Sequence, residues 1–124
     1  MIKFIKKIKN KISNKIKKND ENNPEYRIKF AKRISQKKIR YVSERIVDAK
    51  TGEVVDTIIG RDGIFNININ NELSIYCGIK EVFKAHVPDL TAYEFLSLEG
   101  VILESLDLVT GKYRQIIAYY KYHR

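Results

Sequence analysis

The sequence has a single cysteine, Cys77, no tryptophan, and two prolines in 124 residues. One cysteine excludes an internal disulfide framework and offers no pair of thiolates for a structural metal; a buried, inert thiol is the expected role. A reducing compartment suits such a chain. No segment approaches the roughly 18–20 apolar residues of a membrane-spanning helix. Lysines interrupt every apolar run near the N-terminus, so we expect no secretory signal there.

Catalytic motifs are equally scarce. The sequence contains no Gly-x-Ser-x-Gly, no phosphate-binding glycine loop and no His-Glu-x-x-His. Its two histidines, His86 and His123, fit packed or solvated roles better than catalysis. Asp56 and Asp62 flank a predicted turn at residues 60–63; paired acids can hold a divalent cation, but in this setting they are typical turn and edge residues. The sequence therefore predicts a non-enzymatic protein with no catalytic residue, cofactor or metal site.

Positive charge is abundant and lies at one end of the chain. Residues 1–40 contain 15 Lys and Arg against 3 Asp and Glu, a net charge of +12. Residues 41–124 contain 9 against 12, a net charge of −3. Such asymmetry predicts an N-terminal arm that meets a negatively charged partner, which means nucleic acid, an anionic membrane or an acidic protein surface.

The first 18 residues have the pattern of a basic amphipathic helix. Isoleucines recur at three- and four-residue steps along one narrow face, and eight lysines cover most of the rest. The alternative is a segment that stays disordered until it meets a partner, because an isolated helix of this length is marginal in water. The polar run at residues 19–23 indicates a linker. We therefore divide the chain into an arm with its linker, residues 1–23, and a small folded domain, residues 24–124.

The folded domain begins with a helix signal. Asn23 is a capping residue, Pro24 suits the first helical position, and Glu25 suits the first turn. Tyr26, Phe30 and Ile34 then follow at four-residue steps, which predicts a helix. The same residues also alternate as a strand would over residues 26–30, so both structures stay open at this point.

A β pattern follows from residue 39. Strands are predicted at residues 39–47 and 53–59, joined by the turn sequence Asp-x-x-Thr-Gly at residues 48–52. A second turn is predicted at residues 60–63, before a third strand at residues 64–69.

The central segment, residues 71–87, has a helical apolar period. Its stripe consists of Leu73, Tyr76, Ile79, Phe83 and His86, joined by Ile75 and Val82. Pro88 lies just past the end, where it cannot continue a helix. Gly78 is unfavourable inside a helix, at a cost of about 1 kcal/mol against alanine. We nevertheless predict one helix lying on the sheet.

Two further strands complete the domain. Residues 89–98 are ambiguous, with Asp89 able to cap a short helix. Residues 100–106 and 113–122 predict strands joined by a second Asp-x-x-Thr-Gly turn at residues 107–111. The predicted fold class is α+β: a mostly antiparallel sheet of order β-β-β-α-β-β with one central helix, preceded by a basic helical or disordered N-terminal arm.

The basic residues of the first 40 positions carry the functional prediction. Nucleic acid or another polyanion is the slightly favoured partner, because charge density suffices to bind it and arginine donors suit phosphate. The predicted contacts are Lys3, Lys6, Lys7, Lys11, Lys15, Lys17, Lys18, Arg27, Lys32, Arg33, Lys37, Lys38 and Arg40. Tyrosines of the last strand would stack on bases if they lay on an open sheet face, although burial is the commoner fate of residues such as Tyr120 and Tyr122.

Two other partners remain open. A peripheral membrane protein would insert its apolar stripe into an anionic bilayer surface, and nucleic acid does not need that stripe. The predicted membrane-facing residues are Ile2, Phe4, Ile5, Ile8, Ile12 and Ile16. An assembly or inhibitor protein would instead dock the arm on an acidic protein surface. Lys and Arg continue beyond the stripe to residue 40, which favours nucleic acid.

Overall fold

The structure is a computed structural model, and it describes residues 23–121. One helix, α1, precedes seven strands, and a 3-10 turn (Val87–Asp89) separates the fourth strand from the fifth. The elements are α1 (Pro24–Ile34), β1 (Lys38–Val47), β2 (Val54–Ile67), β3 (Glu72–Cys77), β4 (Lys80–His86), β5 (Thr91–Glu94), β6 (Gly100–Leu106) and β7 (Tyr113–Tyr120).

All seven strands belong to one antiparallel sheet of order β4-β3-β2-β1-β7-β6-β5. The sheet curls into a half-barrel; strand makes up 57% of the described residues and helix 14%. The predicted α+β class with a central helix and the order β-β-β-α-β-β is therefore wrong.

The predicted central helix is a β-hairpin. β3 and β4 pair with Leu73 opposite Ala85, Ile75 opposite Phe83 and Cys77 opposite Lys80, which leaves a two-residue turn at Gly78-Ile79. Gly78 has a φ of +66°, the backbone conformation that the first position of a tight hairpin turn demands of glycine. Gly78, which is unfavourable inside the predicted helix, therefore occupies the first position of the hairpin turn.

The helical period arose from a register shift between two alternating strands. The ladder shifts between Ile75 and Tyr76, so β4 buries the consecutive residues Val82 and Phe83. Two short alternating strands with one such irregularity mimic three- and four-residue spacing. Of the predicted stripe, Leu73 and Phe83 are buried as expected, but Ile79 is fully exposed and His86 is exposed.

A substitution at Gly78 has opposite expected signs for a hairpin and for a helix. Gly78→Ala should lower the free energy of unfolding by about 1–2 kcal/mol, because alanine is strained at positive φ. No atom lies near enough to obstruct the new Cβ, so this backbone strain is the whole expected effect. A helix would instead gain about 1 kcal/mol from alanine. Urea unfolding followed by circular dichroism decides the sign, and a stabilised variant would contradict the hairpin.

β2 also differs from its prediction, since the expected turn at residues 60–63 is part of one continuous 14-residue strand. A Cβ on Gly60 would lie 2.4 Å from the Cys77 sulfur, and one on Gly63 would lie 3.0 Å from the Tyr76 carbonyl oxygen. The two glycines therefore let β3 approach closely rather than reverse the chain. The strands predicted at residues 53–59 and 64–69 are one element, which ends before the exposed Ile69.

Other local predictions are confirmed. The Asn23 side chain accepts a hydrogen bond of 2.8 Å from the Glu25 amide at the start of α1, so residues 26–30 are helix and not strand. β6 coincides with the strand predicted at residues 100–106. Both Asp-x-x-Thr-Gly segments are turns that end in a glycine at positive φ, Gly52 and Gly111. The ambiguous segment 89–98 contains the short strand β5.

The core lies between α1 and the inner face of the curled sheet. Ala31 and Ile34 of the helix are fully buried against apolar side chains from the strands. Members of that cluster without exposed surface are Ile39, Val42, Leu73, Ile75, Phe83, Ala85, Val101, Leu103, Ile116 and Ala118. The outer face of the sheet is the one that α1 does not cover.

The β6–β7 turn forms hydrogen bonds with β4, the strand at one edge of the curled sheet. The Leu108 amide donates to the Lys84 carbonyl (2.7 Å), and the Lys84 amide donates to the Asp107 carboxylate (3.0 Å). The Arg114 guanidinium donates to Asp107 (2.8 Å) and also to the Glu44 carboxylate (2.8 Å). We call Glu44, Asp107 and Arg114 the charged cluster; it connects β1 and the β6–β7 hairpin to β4.

Candidate polyanion-binding surface

Two of the predicted phosphate contacts have structural roles. Arg33 forms a 2.8 Å ion pair with Glu94 of β5, and this hydrogen bond raises the pKa of Arg33. The Arg27 guanidinium donates to the Pro88 carbonyl on the 3-10 turn. Arg33 therefore joins α1 to β5, and Arg27 joins it to the 3-10 turn, so neither presents its full donor set to a ligand.

The basic residues after the helix converge on one end of the sheet. Lys37 and Lys38 lead into β1, Arg40 follows, and Lys121 comes directly after β7. The Lys121 amide donates to the Lys38 carbonyl (2.8 Å), which places the two residues side by side although 83 positions separate them. We call Lys37, Lys38, Arg40 and Lys121 the basic end. Lys32 is exposed on α1, outside this group.

Nearby aromatic rings orient two of these cations. The Arg40 guanidinium lies 5.2 Å from the centre of the Tyr41 ring, and the Lys37 ammonium lies 5.4 Å from the Tyr120 ring. Cation–π contacts of this length restrict a long side chain without neutralising its charge. The Lys121 ammonium lies 3.1 Å from the exposed Asp62 carboxylate. Within residues 23–121, the other three cations form no ion pair with a carboxylate.

Two tyrosines lie beside the basic end on the outer face of the sheet. Tyr41 and Tyr119 are partners across β1 and β7, with ring centres 4.5 Å apart, and Phe95 packs 5.7 Å from Tyr119. Both tyrosines are half-buried. Burial raises the pKa of the Tyr119 hydroxyl above its ordinary value.

The next residue, Tyr120, has the buried role that the sequence favoured. It is 7% exposed, and its hydroxyl donates 2.9 Å to Glu94. Burial, reinforced by that carboxylate, raises the pKa of Tyr120 far above its usual range. Tyr119 is one of the last-strand tyrosines that we expected to stack on bases if they lay on an open face, and period-2 alternation places it on the face opposite Tyr120. Tyr122 and His123 lie outside the described residues.

A shallow hollow of about 220 Å³ opens at the basic end. It is lined by Arg40, Lys121, Tyr120 and the β5–β6 turn residues 97–99. Glu99 contributes one carboxylate to its wall, so the hollow is lined by charges of both signs. Its size suits one phosphate or carboxylate group rather than a cofactor.

The candidate catalytic groups are separated. Asp56 forms a bidentate pair with Arg45 (2.9 and 3.0 Å), and this hydrogen bonding lowers the pKa of Asp56. Asp62 faces Lys121 instead. Burial raises the pKa of the Cys77 thiol, which makes it a poor nucleophile. Within residues 23–121, no three His, Cys, Asp or Glu side chains are arranged to hold a metal ion.

The charged cluster was not predicted from the sequence. Asp107 has no exposed surface; burial alone would raise its pKa, but hydrogen bonds from Thr110, the Lys84 amide and Arg114 outweigh burial and lower it. The signal available was an arginine, Arg114, three residues past an Asp-x-x-Thr-Gly turn. The first turn has no such residue, and its Asp48 is exposed.

The N-terminal arm holds most of the predicted contacts, and these lie outside the described residues. They are Lys3, Lys6, Lys7, Lys11, Lys15, Lys17 and Lys18, together with Ile2, Phe4, Ile5, Ile8, Ile12 and Ile16. The arm leads into α1 at Asn23. In the part of the chain that the structure describes, no helix has the length and apolar character to cross a bilayer.

Comparison with known proteins adds no assignment. A scan against protein-family models finds no match, and a search of curated proteins finds no significant relative.

Proposed function

We propose that the protein is a non-enzymatic, cytoplasmic binding protein whose lysine-rich N-terminal arm engages nucleic acid. The observation that carries this proposal is the separation of charge, with +12 on residues 1–40 and −3 on the rest. Lysines that neutralise phosphates release condensed counterions, which gives affinity without a precise binding geometry. The acidic remainder of the chain would repel the same polyanion and leave residues 1–40 as the main region of contact.

The basic end extends this binding surface onto the folded domain. Lys37, Lys38 and Arg40 continue the charge beyond the isoleucine stripe, which stops at Ile16. The sheet adds Lys121 to them from the other end of the chain. A nucleic acid bound to the arm would place further phosphates beside these cations. Arg40 supplies planar donors suited to phosphate oxygens. Tyr41 and Tyr119, next to Arg40, offer ring surface to an unpaired base.

A second candidate is a peripheral membrane protein at the inner surface of an anionic bilayer. The isoleucine stripe of the arm favours this function, because ordered apolar residues add nothing to phosphate binding and are what an interfacial helix buries. The basic end would then face the lipid headgroups beside the inserted arm. Docking on an acidic protein surface needs the same charges and is the third candidate.

Lysine substitutions in the arm should weaken nucleic-acid binding and its salt dependence. We expect glutamine at Lys3, Lys6, Lys7 and Lys11 to lower the slope of log K against log salt concentration by about 0.7–0.9 for each phosphate that is no longer neutralised. Serine at Ile5, Ile8 and Ile12 should leave DNA and RNA binding nearly unchanged. Fluorescence anisotropy with labelled oligonucleotides at several salt concentrations measures both effects.

A matched pair of variants tests the basic end. Lys38→Gln with Arg40→Gln should lower the slope further, by about 0.7–0.9 per phosphate. Lys50→Gln with Lys112→Gln removes the same charge from two exposed turns at the opposite end of the sheet and should have a smaller effect. Equal effects from the two pairs would show that only net charge matters. If the serine variant of Ile5, Ile8 and Ile12 lost all partner binding while the glutamine variant of the arm lysines kept it, the membrane function would replace the nucleic-acid function.

A further inference from the structure

Half of strand β2 has a neighbour on one side only. β1 pairs with β2 from Val54 to Ile64, whereas β3 pairs only with Gly63 to Ile67. Among residues 23–121, no strand pairs with the other side of residues 54–61, although the Cys77 side chain of β3 lies close to Gly60. These residues of β2 therefore form a third open edge, in addition to the two edges of the sheet at β4 and β5. We call residues 54–58 the β2 edge.

The backbone of the β2 edge presents free hydrogen-bonding groups. The Asp48 amide donates 2.8 Å to the Glu53 carbonyl, which closes the hairpin with a hydrogen-bonded pair. Antiparallel pairs alternate between hydrogen-bonded and non-hydrogen-bonded positions. By that alternation, Val55 and Thr57 direct their N–H and C=O groups at β1, and Val54, Asp56 and Ile58 direct theirs away from it.

The side chains at this edge lack the features that usually prevent pairing. Natural edges carry lysine, proline, a bulge or a cover. The register shift between Val42 and Ser43 of β1 leaves Ile59 of β2 without a partner, so the bulge lies one residue beyond Ile58 and residues 54–58 pair regularly with β1. Here five apolar side chains near the edge are about half exposed: Ile46 (53%), Val47 (58%), Val54 (54%), Val55 (48%) and Ile58 (45%). The one acid, Asp56, is matched by Arg45 of β1 through two hydrogen bonds, so the edge carries no net charge.

The two outer edges of the sheet are protected by comparison. β4 is engaged by the β6–β7 turn, whose Leu108 and Asp107 satisfy the Lys84 carbonyl and amide. β5 is four residues long, too short to template a partner of any length. The β2 edge is therefore the one long strand edge that the described part of the chain leaves both open and uncharged.

We propose that the β2 edge pairs antiparallel with the β2 edge of a second copy of this chain. The outward-facing residues Val54, Asp56 and Ile58 are symmetric about Asp56. A two-fold axis there sets Val54 opposite Ile58 of the second copy, so that the outward N–H and C=O groups of both copies find partners. The two Asp56 carboxylates would meet at the axis, each already neutralised by its own Arg45.

Self-pairing suits this edge because both copies bring the same β-branched side chains to both faces of the joined ribbon. Covering the exposed half of these five side chains would bury on the order of 400 Å² of apolar surface per copy, or roughly 800 Å² in all. Specific interfaces bury about 1,200–2,000 Å². The expected dimer is therefore concentration-dependent, and it presents two arms to one polyanion, a gain in avidity that needs no further contact.

Sedimentation equilibrium of the full chain, from micromolar to millimolar concentration at physiological salt, tests the pairing. The wild-type protein should show a monomer–dimer equilibrium. Ile58→Lys, and independently Val54→Lys, should raise the dissociation constant roughly tenfold or more. Leu96→Lys, at a fully exposed leucine on the β5–β6 turn, adds the same charge away from the edge and should leave it unchanged.

Thermal unfolding checks that each variant is folded. All three sites are exposed, so the unfolding midpoint of each variant should stay near that of the wild type. Val54→Lys lies at the end of the strand and is the variant to compare if Ile58→Lys unfolds early. A wild-type protein that stays monomeric throughout would overturn the proposal. So would folded edge variants that dimerise as tightly as the wild type, or a Leu96→Lys variant that is weakened as much as they are.

Discussion

Asp107→Ala should lower the free energy of unfolding by about 3–5 kcal/mol, because it leaves a buried, half-satisfied charged network. The donors that would lose their acceptor are the backbone amides of Lys84, Val109 and Thr110, the Thr110 hydroxyl and the Arg114 guanidinium. A buried donor without an acceptor costs about 1–3 kcal/mol, and more when it is charged. The β4 edge would also lose one of its connections to the β6–β7 turn.

The chain supplies its own control for this substitution. Asp48 occupies the same position of the same Asp-x-x-Thr-Gly turn and accepts from the amides of Lys50 (2.7 Å) and Thr51 (3.2 Å). It is exposed and has no arginine partner. Asp48→Ala should therefore cost only what removing a turn cap costs, about 0.5–2 kcal/mol. Urea unfolding measures both variants, and similar losses would mean that the charged cluster contributes nothing beyond its turn.

The contribution of Asp107 should also depend on pH. Its pKa in the folded protein lies below its usual range of about 3.9, so the folded state favours the ionised carboxylate. The stabilisation is fully present above the unfolded-state pKa and is lost as the pH falls through the folded-state value. The difference in unfolding free energy between the wild type and Asp107→Ala should therefore shrink below about pH 4. A difference that grew in acid would contradict the assigned charge state.

Phe83→Ala should cost about 3–5 kcal/mol, since the ring has no exposed surface and its removal leaves a cavity. Phe83 lies opposite Ile75 at the centre of the β3–β4 hairpin. The neighbouring Lys84→Ala keeps the backbone bonds to Asp107 and Leu108 and removes only the ion pairs of 3.7 and 3.8 Å with Glu81 and Glu72. Such part-exposed pairs are worth about 0–1 kcal/mol.

Chemical denaturation of the two variants, under the same conditions, gives the comparison directly. A large loss of stability for Phe83→Ala with a small one for Lys84→Ala is the expected result. Equal losses would mean that the sheet does not bury the Phe83 ring.

Local signals in the sequence predicted the elements that local chemistry determines. The Asn23-Pro24-Glu25 start and the Asp-x-x-Thr-Gly turns satisfy backbone groups within a few residues, so their sequences are sufficient to recognise them. The prediction at Gly78 failed because the meaning of that residue depends on register: a glycine can interrupt a helix or open a hairpin, and the spacing of Val82 and Phe83 matched both. Tertiary pairing with β2 decided between them.

The sequence predicted which residues of the candidate surface are basic, but it did not predict which of them lie side by side. Charge counting identified Lys37, Lys38 and Arg40, but Lys121 joins them only through the pairing of β1 with β7. Arg27 and Arg33 looked equivalent to those residues in the sequence. Their contacts with Pro88 and Glu94 depend on where the helix packs, which no periodicity reveals.

The central claim is that the arm binds nucleic acid through its charge. Its most direct test is a parallel titration of the full chain against duplex DNA, single-stranded RNA and anionic liposomes at two salt concentrations. We predict that both nucleic acids bind at low salt, lose affinity steeply at high salt, and bind more tightly than the liposomes. Tight liposome binding that gains helical circular dichroism, with no salt-sensitive binding to either nucleic acid, would contradict the claim.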